Sequence, residues 1–243
     1  MILANVRRQL TRDDAQLAAR LIADGSRHEL ETLEARLADE GLDAVLDDPR
    51  LPAALLRAWL GARASFALFA YVAVRDALRR AGEDDRALAD YAAAVLVHFL
   101  RAEAVHRVAQ SDDEIYDTLV DMLDDVDDPD ARRSFLVRAH LGNYALWISG
   151  LFPDHIEQRR WRRGGPDLDY YEALGRRGFE LAATHRLAEQ HGVATLYATA
   201  AQRFGVLRTA LNDVSDRLLF ANVHTPERLM RQVRDEARWK RAS

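Results

Sequence analysis

The chain has 243 residues, of which 49% are hydrophobic, and it carries a formal net charge of −5. This length and composition suit a globular protein with a sizeable core and exclude a chain that is disordered throughout. A net negative protein is not a polyanion-binding surface as a whole, so any contact with nucleic acid would have to come from a local patch. The absence of cysteine excludes disulfides, thiolate metal sites and cysteine nucleophiles.

The apolar segments that could act as a secretion signal or a membrane helix are short. The N-terminal stretch MILANVRRQLTRDD turns polar after a few residues, and the longest apolar run, Ser65 to Val74, is about half of the roughly 20 residues that a membrane helix needs. We therefore expect a cytoplasmic protein with no membrane association. Lys240 is the only lysine, and the other Lys/Arg positions are arginine, a usage typical of GC-rich bacterial genomes.

Helix start and stop signals follow one another along the chain. Thr11 can cap a helix that ends at Gly25, and Ser26 with Glu29 makes a capping box for a helix that ends at Gly41. Helical patterns continue over 52–81 and over 85–109, where the stretch YAAAVLVHFL at 91–100 is apolar on every side and is predicted to lie in a core.

The second half continues in the same way. A strongly apolar helix is predicted over 130–152, a hairpin of two long helices over 167–219 with its turn at Gly192, and a terminal helix from Thr225-Pro226. Alternating patterns typical of strands are almost absent. We predict an all-α, single-domain bundle of about nine or ten helices over residues 1–243, with the alternative that residues 1–50 form a loosely attached helical hairpin.

Counting outward from Gly192 predicts how the hairpin packs. Gly178 lies 14 residues before the turn and Gly205 lies 13 after it, so the two glycines are expected to face each other and let the helix backbones approach closely. An apolar stripe on the second helix is predicted to be buried: Tyr197, Ala200, Phe204, Leu207, Leu211, Val214 and Leu218.

Two apolar helices carry polar residues that could form a ligand or metal site. Glu103 and His106 have the Glu-x-x-His spacing that di-iron helical bundles use, and His98 lies on the same predicted helix. Those bundles need a second such motif and two further glutamates, and this chain has a single match. A core histidine with a surface ion pair is the alternative interpretation.

His140, Asn143 and Tyr144 lie in the other apolar helix. Buried polar groups need hydrogen-bond partners, and these residues could satisfy one another or His98. Either a structural hydrogen-bond network or a ligand pocket is consistent with the pattern, and we expect His98 and His140 to be largely buried.

The acidic run Asp124-Asp125-Val126-Asp127-Asp128 resembles the Asp-Asp-x-x-Asp motif by which isoprenoid synthases, which are also all-helical, hold magnesium diphosphate. The resemblance implies a second metal motif, which would begin at Asn212-Asp213. The sequence departs from the family there, because Phe220 stands where the later glutamate is required. A solvated helix end and loop is the other interpretation of the run.

The stretch RRWRRGG, residues 159–165, combines arginine forks that suit phosphate with a tryptophan that can stack on a base. Arg159, Arg162 and Arg163 share one face of a predicted helix that ends at the two glycines, and cations are favourable at a helix C-terminus. We expect an ordinary helix end, with Trp161 covering the edge of the bundle, ahead of an ionic contact with the acidic run at 112–130 or with another protein. Nucleic acid is the least expected partner.

No complete catalytic constellation is visible, and P-loop, Rossmann and Gly-x-Ser-x-Gly patterns do not occur. The sequence therefore favours a bacterial protein that acts through interaction, as a homodimer or with a protein partner. The alternative is an enzyme or binding protein with a small-molecule or metal site between the two central helices, and the sequence identifies neither a cofactor nor a substrate.

Overall fold

The computed structural model describes residues 2–57, 63–99, 119–223 and 225–242, and within them every regular element is helical. This confirms the all-α class. The described residues contain fifteen α-helices, so the predicted count of nine or ten is not confirmed. None of the helices in the described ranges is long and apolar enough to cross a membrane.

The described chain forms two compact units, the first made of residues 2–80 and 84–97 and the second of residues 81–83 and 98–243. The prediction of a single domain therefore stays a prediction. The first unit contains α1 (Val6–Gln9), α2 (Arg12–Ala23), α3 (Arg27–Glu40), α4 (Asp43–Leu46), α5 (Leu51–Arg57), α6 (Phe66–Arg80) and most of α7 (Arg86–Phe99).

Helix caps in the first unit follow the sequence signals. The Thr11 backbone N–H donates to Asp14 Oδ2 at 2.9 Å while the Asp14 N–H donates back to Thr11 Oγ1 at 3.3 Å, which satisfies two amides that the first turn leaves unpaired. Ser26 caps α3, and Gly41 with φ +78° ends it. The apolar stretch at 91–96 of α7 is buried, as predicted.

The second unit contains α8 (Leu119–Asp124), α9 (Ala131–Leu151), α10 (Pro153–Arg163), α11 (Leu168–Ala183), α12 (Arg186–Gln190), α13 (Ala194–Gln202), α14 (Phe204–Val214), a π-helical turn (Ser215–Leu219) and α15 (Pro226–Ala242). Helix α9 is its centre and packs along α11 and α14. The predicted buried stripe is confirmed from Tyr197 to Val214, whereas Leu218 is half-buried.

The predicted pairing of Gly178 with Gly205 is wrong. A Cβ built on Gly178 would lie 2.7 Å from the backbone nitrogen of Gly142, so the close approach joins α11 to α9. A Cβ built on Gly205 would instead lie 3.1 Å from Oε1 of the Glu172 carboxylate. The predicted pairing assumed two straight helices that meet at Gly192. The chain instead breaks at Thr184–His185 and again at Arg203, and each break changes which side of the following helix faces inward.

Candidate functional site

Four of the residues predicted for a ligand site lie near one aromatic ring or on the helix beside it. The Phe99 ring centroid is 5.1 Å from that of His98, 5.6 Å from that of His140 and 6.2 Å from that of Tyr144. Asn143 is buried on the same helix, α9. Glu103 and His106 lie outside the described residues. The structure thus places His98, His140 and Tyr144 around Phe99. It does not test the Glu-x-x-His motif.

Rings pack against one another throughout this aromatic cluster. Trp147 stacks on Phe99 at 5.3 Å, and Phe152 and Phe220 extend the chain of rings. His140 is 4% exposed, as predicted, whereas His98 is only half-buried. Burial raises the pKa of the Tyr144 hydroxyl, which keeps it protonated. In the described ranges no three His, Asp or Glu side chains are placed to hold a metal ion.

The acidic run pairs with arginines of the helix that follows it. Arg133 contacts Asp125 at 3.0 Å and Asp128 at 3.1 Å, and Arg138 contacts Asp127 at 2.9 Å. These carboxylates are therefore partnered locally and do not reach the basic stretch at 159–163 in the described structure.

Asn212, which would begin the second metal motif of an isoprenoid synthase, has a structural role. Its amide nitrogen donates to the carbonyl oxygens of Ser149 at 2.8 Å and Gly150 at 2.6 Å, while its Oδ1 accepts from Arg208 at 2.7 Å. These bonds hold the end of α9 against α14.

The basic stretch forms the C-terminal half of α10. The Gly164 N–H donates to the Arg160 carbonyl at 2.9 Å and Gly164 has φ +66°, so the predicted helix end is confirmed. Arg159, Arg162 and Arg163 are exposed.

Trp161 does not cover the edge of the bundle, contrary to expectation, because 67% of it is exposed. Asp154, Glu157 and Trp161 recur at helical spacing, and the first two form ion pairs with α15. Ion pairs with α15 therefore occupy the side of α10 on which we expected an apolar surface against the Trp161 indole.

Helix α15 is attached to the second unit by an ionic dock, which we define as Arg228 and Arg231 of α15 with Asp154 of α10 and Asp216 of the π-helical turn. Arg228 Nε donates to Asp154 Oδ2 at 2.8 Å, and Arg231 Nη2 donates to Asp216 Oδ1 at 2.7 Å. The two arginine side chains are only 6% and 2% exposed. Each guanidinium is thus desolvated and paired, which is the condition under which a charge can be buried.

A second ionic contact continues along the same side of α15. Arg208 of α14, whose side chain is 4% exposed, reaches Glu172 at 3.2 Å and Asp235 of α15 at 3.3 Å. Arg234 pairs with the buried Glu157 at 3.2 Å. The inner face of α15 is therefore polar over the whole part whose side chains the structure describes.

The outer face of α15 is apolar. Leu229, Met230 and Val233 are 60%, 57% and 67% exposed, and we call these three residues the apolar row. An ordinary surface helix buries its apolar stripe and exposes its charges, so α15 has the reverse arrangement. The sequence signal was present as arginines at 228, 231 and 234 interleaved with aliphatic residues at 229, 230 and 233, but periodicity alone does not say which stripe faces inward.

Comparison of the chain with protein-family models, curated proteins and solved structures finds no match.

Proposed function

We propose that the protein acts by interaction, and that its partner is a second copy of the chain bound through the apolar row of α15. The observation that supports this function is the reversed polarity of α15. The helix buries charged residues, which is costly unless they are paired, and leaves its aliphatic residues in water. A partner that covers Leu229, Met230 and Val233 would remove that exposed hydrocarbon from water.

The chain before α15 adds to the same kind of surface. Leu219, Phe220 and Val223 are each more than a third exposed, so six large apolar side chains are exposed between residues 219 and 233. Exposed apolar side chains that lie together mark interaction sites, and Leu229, Met230 and Val233 lie together on one side of α15. The apolar row contains no charged residue, so a second copy can pack against it without burying an unpaired charge, and symmetric dimers are the commonest closed oligomers.

Sedimentation of the full chain tests this proposal. We expect a dimer at micromolar concentration, and a monomer after the double substitution Leu229→Glu and Val233→Glu, because each glutamate would have to be buried in the dimer. Leu123→Glu is the matched control, since Leu123 is 40% exposed on α8, and it should leave the dimer intact.

Circular dichroism of the same variants checks that the helical fold is kept, because both changed positions in the double variant are exposed. A wild-type chain that is monomeric over the whole concentration range would refute the proposal. So would a double variant that remains dimeric with the affinity of the wild type.

The second candidate function is a binding protein or enzyme with a small-molecule or metal site at His98, His140, Asn143 and Tyr144. The gathering of three of these side chains around Phe99 favours it. Metal analysis of the purified protein, together with extraction of any retained ligand, separates the two functions: a stoichiometric metal or metabolite that is lost in His98→Leu would support the second.

A further inference from the structure

At the C-terminal end of α10, four exposed side chains make up what we call the α10 patch: Arg159, Trp161, Arg162 and Arg163. Trp161 lies about 160° around the helix from Arg159 and from Arg163, and about 100° from Arg162. Large aromatic side chains usually bury most of their area, yet Trp161 is 67% exposed. Arg160, the remaining arginine of the stretch, lies 3.8 Å from Asp167. Arg159, Arg162 and Arg163 have no acidic partner in the described part of the chain.

The surroundings of the α10 patch are open and include a second aromatic group. A Cβ built on Gly164 would meet no atom within 4 Å, so the helix end projects into open space. Tyr170, at the start of α11, is 39% exposed and its ring lies 5.9 Å from that of Tyr171. Burial raises the pKa of the Tyr171 hydroxyl, and the positive charge of Arg159 acts against this rise.

We propose that the α10 patch binds single-stranded nucleic acid. Guanidinium groups contact phosphates, and exposed aromatic rings stack on unpaired bases in a way that tolerates any sequence. Successive residues of a helix are about 100° apart, so a strand crossing the helix end can meet Trp161 and Arg162 in turn. This partner was the least expected from the sequence, and the exposure of Trp161 reverses that order.

The kind of side chain that is exposed at the patch favours a nucleic-acid strand over other anionic partners. In the described residues from 153 to 183, the only large apolar side chains more than a third exposed are Trp161 and Tyr170, both aromatic. A membrane surface would be matched by a continuous apolar face of aromatic and aliphatic side chains opposite the arginines, and Trp161 is the single large apolar side chain exposed on α10, which the structure describes from end to end. An acidic protein would contact the arginines alone, and the exposed indole of Trp161 would stay uncovered.

The test is a titration of the full chain with a fluorescent single-stranded oligonucleotide, measured by anisotropy at several salt concentrations. We expect binding at low salt. The logarithm of the association constant should fall against the logarithm of the salt concentration with a slope of about −2, because each of three neutralised phosphates contributes about −0.7. Trp161→Ala should weaken binding at least about fivefold, the lower end of base-stacking effects, while Trp161→Phe should retain most of it.

The triple variant Arg159→Ala, Arg162→Ala and Arg163→Ala should abolish binding. Its control carries the same change in net charge at three exposed arginines elsewhere, Arg20, Arg132 and Arg186, and should bind nearly as the wild type does. An abasic strand of equal length should bind like the Trp161→Ala variant.

Four results would overturn the proposal: no binding at low salt, equal loss in the control triple variant, no effect of Trp161→Ala, or equal binding of the abasic strand. Vesicles containing phosphatidylserine are titrated in parallel. Binding of vesicles without binding of the oligonucleotide would assign the patch to a membrane surface and would refute it as well.

Discussion

At the scale of single residues, two central helices approach each other closely at a pair of glycines. Gly178 of α11 lies so near Gly142 of α9 that a methyl group would stand 2.7 Å from the Gly142 nitrogen and 3.0 Å from the Arg138 carbonyl oxygen. Both obstacles are backbone atoms of a central helix and cannot rotate away. The sequence identified Gly178 as a packing glycine but assigned it the wrong neighbour, because a small residue shows that something approaches without showing what.

Gly178→Ala should lower the free energy of unfolding by up to about 2 kcal/mol, because overpacking costs about 1–3 kcal/mol and the gain in helix preference returns about 1 kcal/mol. Gly205→Ala is the matched control, because its nearest neighbour is the tip of the Glu172 side chain, and it should be neutral or stabilising. Urea denaturation measures both. Equal effects of the two substitutions would argue that the glycines share one environment after all.

Asp90 in the first unit gives a pH prediction. It is 7% exposed, its Oδ1 accepts the Arg7 N–H at 2.9 Å, and burial raises its pKa against the opposing effect of that bond. A native pKa above the unfolded value means that the folded state binds the proton more tightly, so stability is full at pH below the unfolded pKa and is lost as pH rises through the native pKa.

Asp90→Asn keeps an acceptor for the Arg7 N–H and removes the buried charge. We therefore expect the variant to be more stable than the wild type at neutral pH, with the difference vanishing at acidic pH below the ordinary aspartate pKa. Thermal denaturation across pH 3 to 7 measures this difference. A variant that is less stable at pH 7 would show that the ionised carboxylate is stabilising in the fold.

At the scale of elements, α15 shows that ion pairs can hold a helix against its neighbours. The residues of α15 that the structure shows as buried are arginines, Arg228 and Arg231, held by Asp154 and Asp216. Because an isolated surface ion pair contributes little, the attachment depends on the exclusion of water from the pairs. Removing one partner should therefore cost more than a surface pair would.

Arg231→Ala should release α15, because breaking a buried pair costs about 3–5 kcal/mol and local opening needs less than global unfolding. Hydrogen exchange should show loss of amide protection over 226–242 with protection of α9 retained. Gln232→Ala is the control, since Gln232 is exposed and donates to the same Asp216 at 2.9 Å. Wild-type protection in Arg231→Ala would show that other contacts hold the helix.

The elements that the sequence predicted are those with local causes. Caps at Thr11 and Ser26 and the stop at Gly164 depend on bonds within a few residues, so they could be read from the chain. The additional breaks at His185 and Arg203 could not, since neither carries a glycine or proline. The ionic dock joins residues more than 70 positions apart, Asp154 with Arg228 and Arg231, and no spacing rule pairs them.

At the scale of the whole molecule, a net charge of −5 coexists with a local excess of arginine at 159–163. Nucleic acid was the least expected partner because a helix end accounts for these arginines, whereas recognition depends on the field of the patch that they form. The sequence left open whether His140, Asn143 and Tyr144 contact one another or His98, and the structure brings the rings of His98, His140 and Tyr144 near Phe99. The function of such a cluster depends on the ligand that it binds, and a sequence pattern does not identify that ligand.

The reversed polarity of α15 also gives its two faces opposite heat-capacity signatures. Undocking of the inner face exposes guanidinium and carboxylate groups, and hydration of polar surface lowers the heat capacity, so this step adds little to the increase that accompanies unfolding. Covering the outer row of Leu229, Met230 and Val233 removes hydrocarbon from water and carries a negative heat-capacity change. Release of the helix would therefore change the heat capacity little, whereas association through the same helix would lower it clearly.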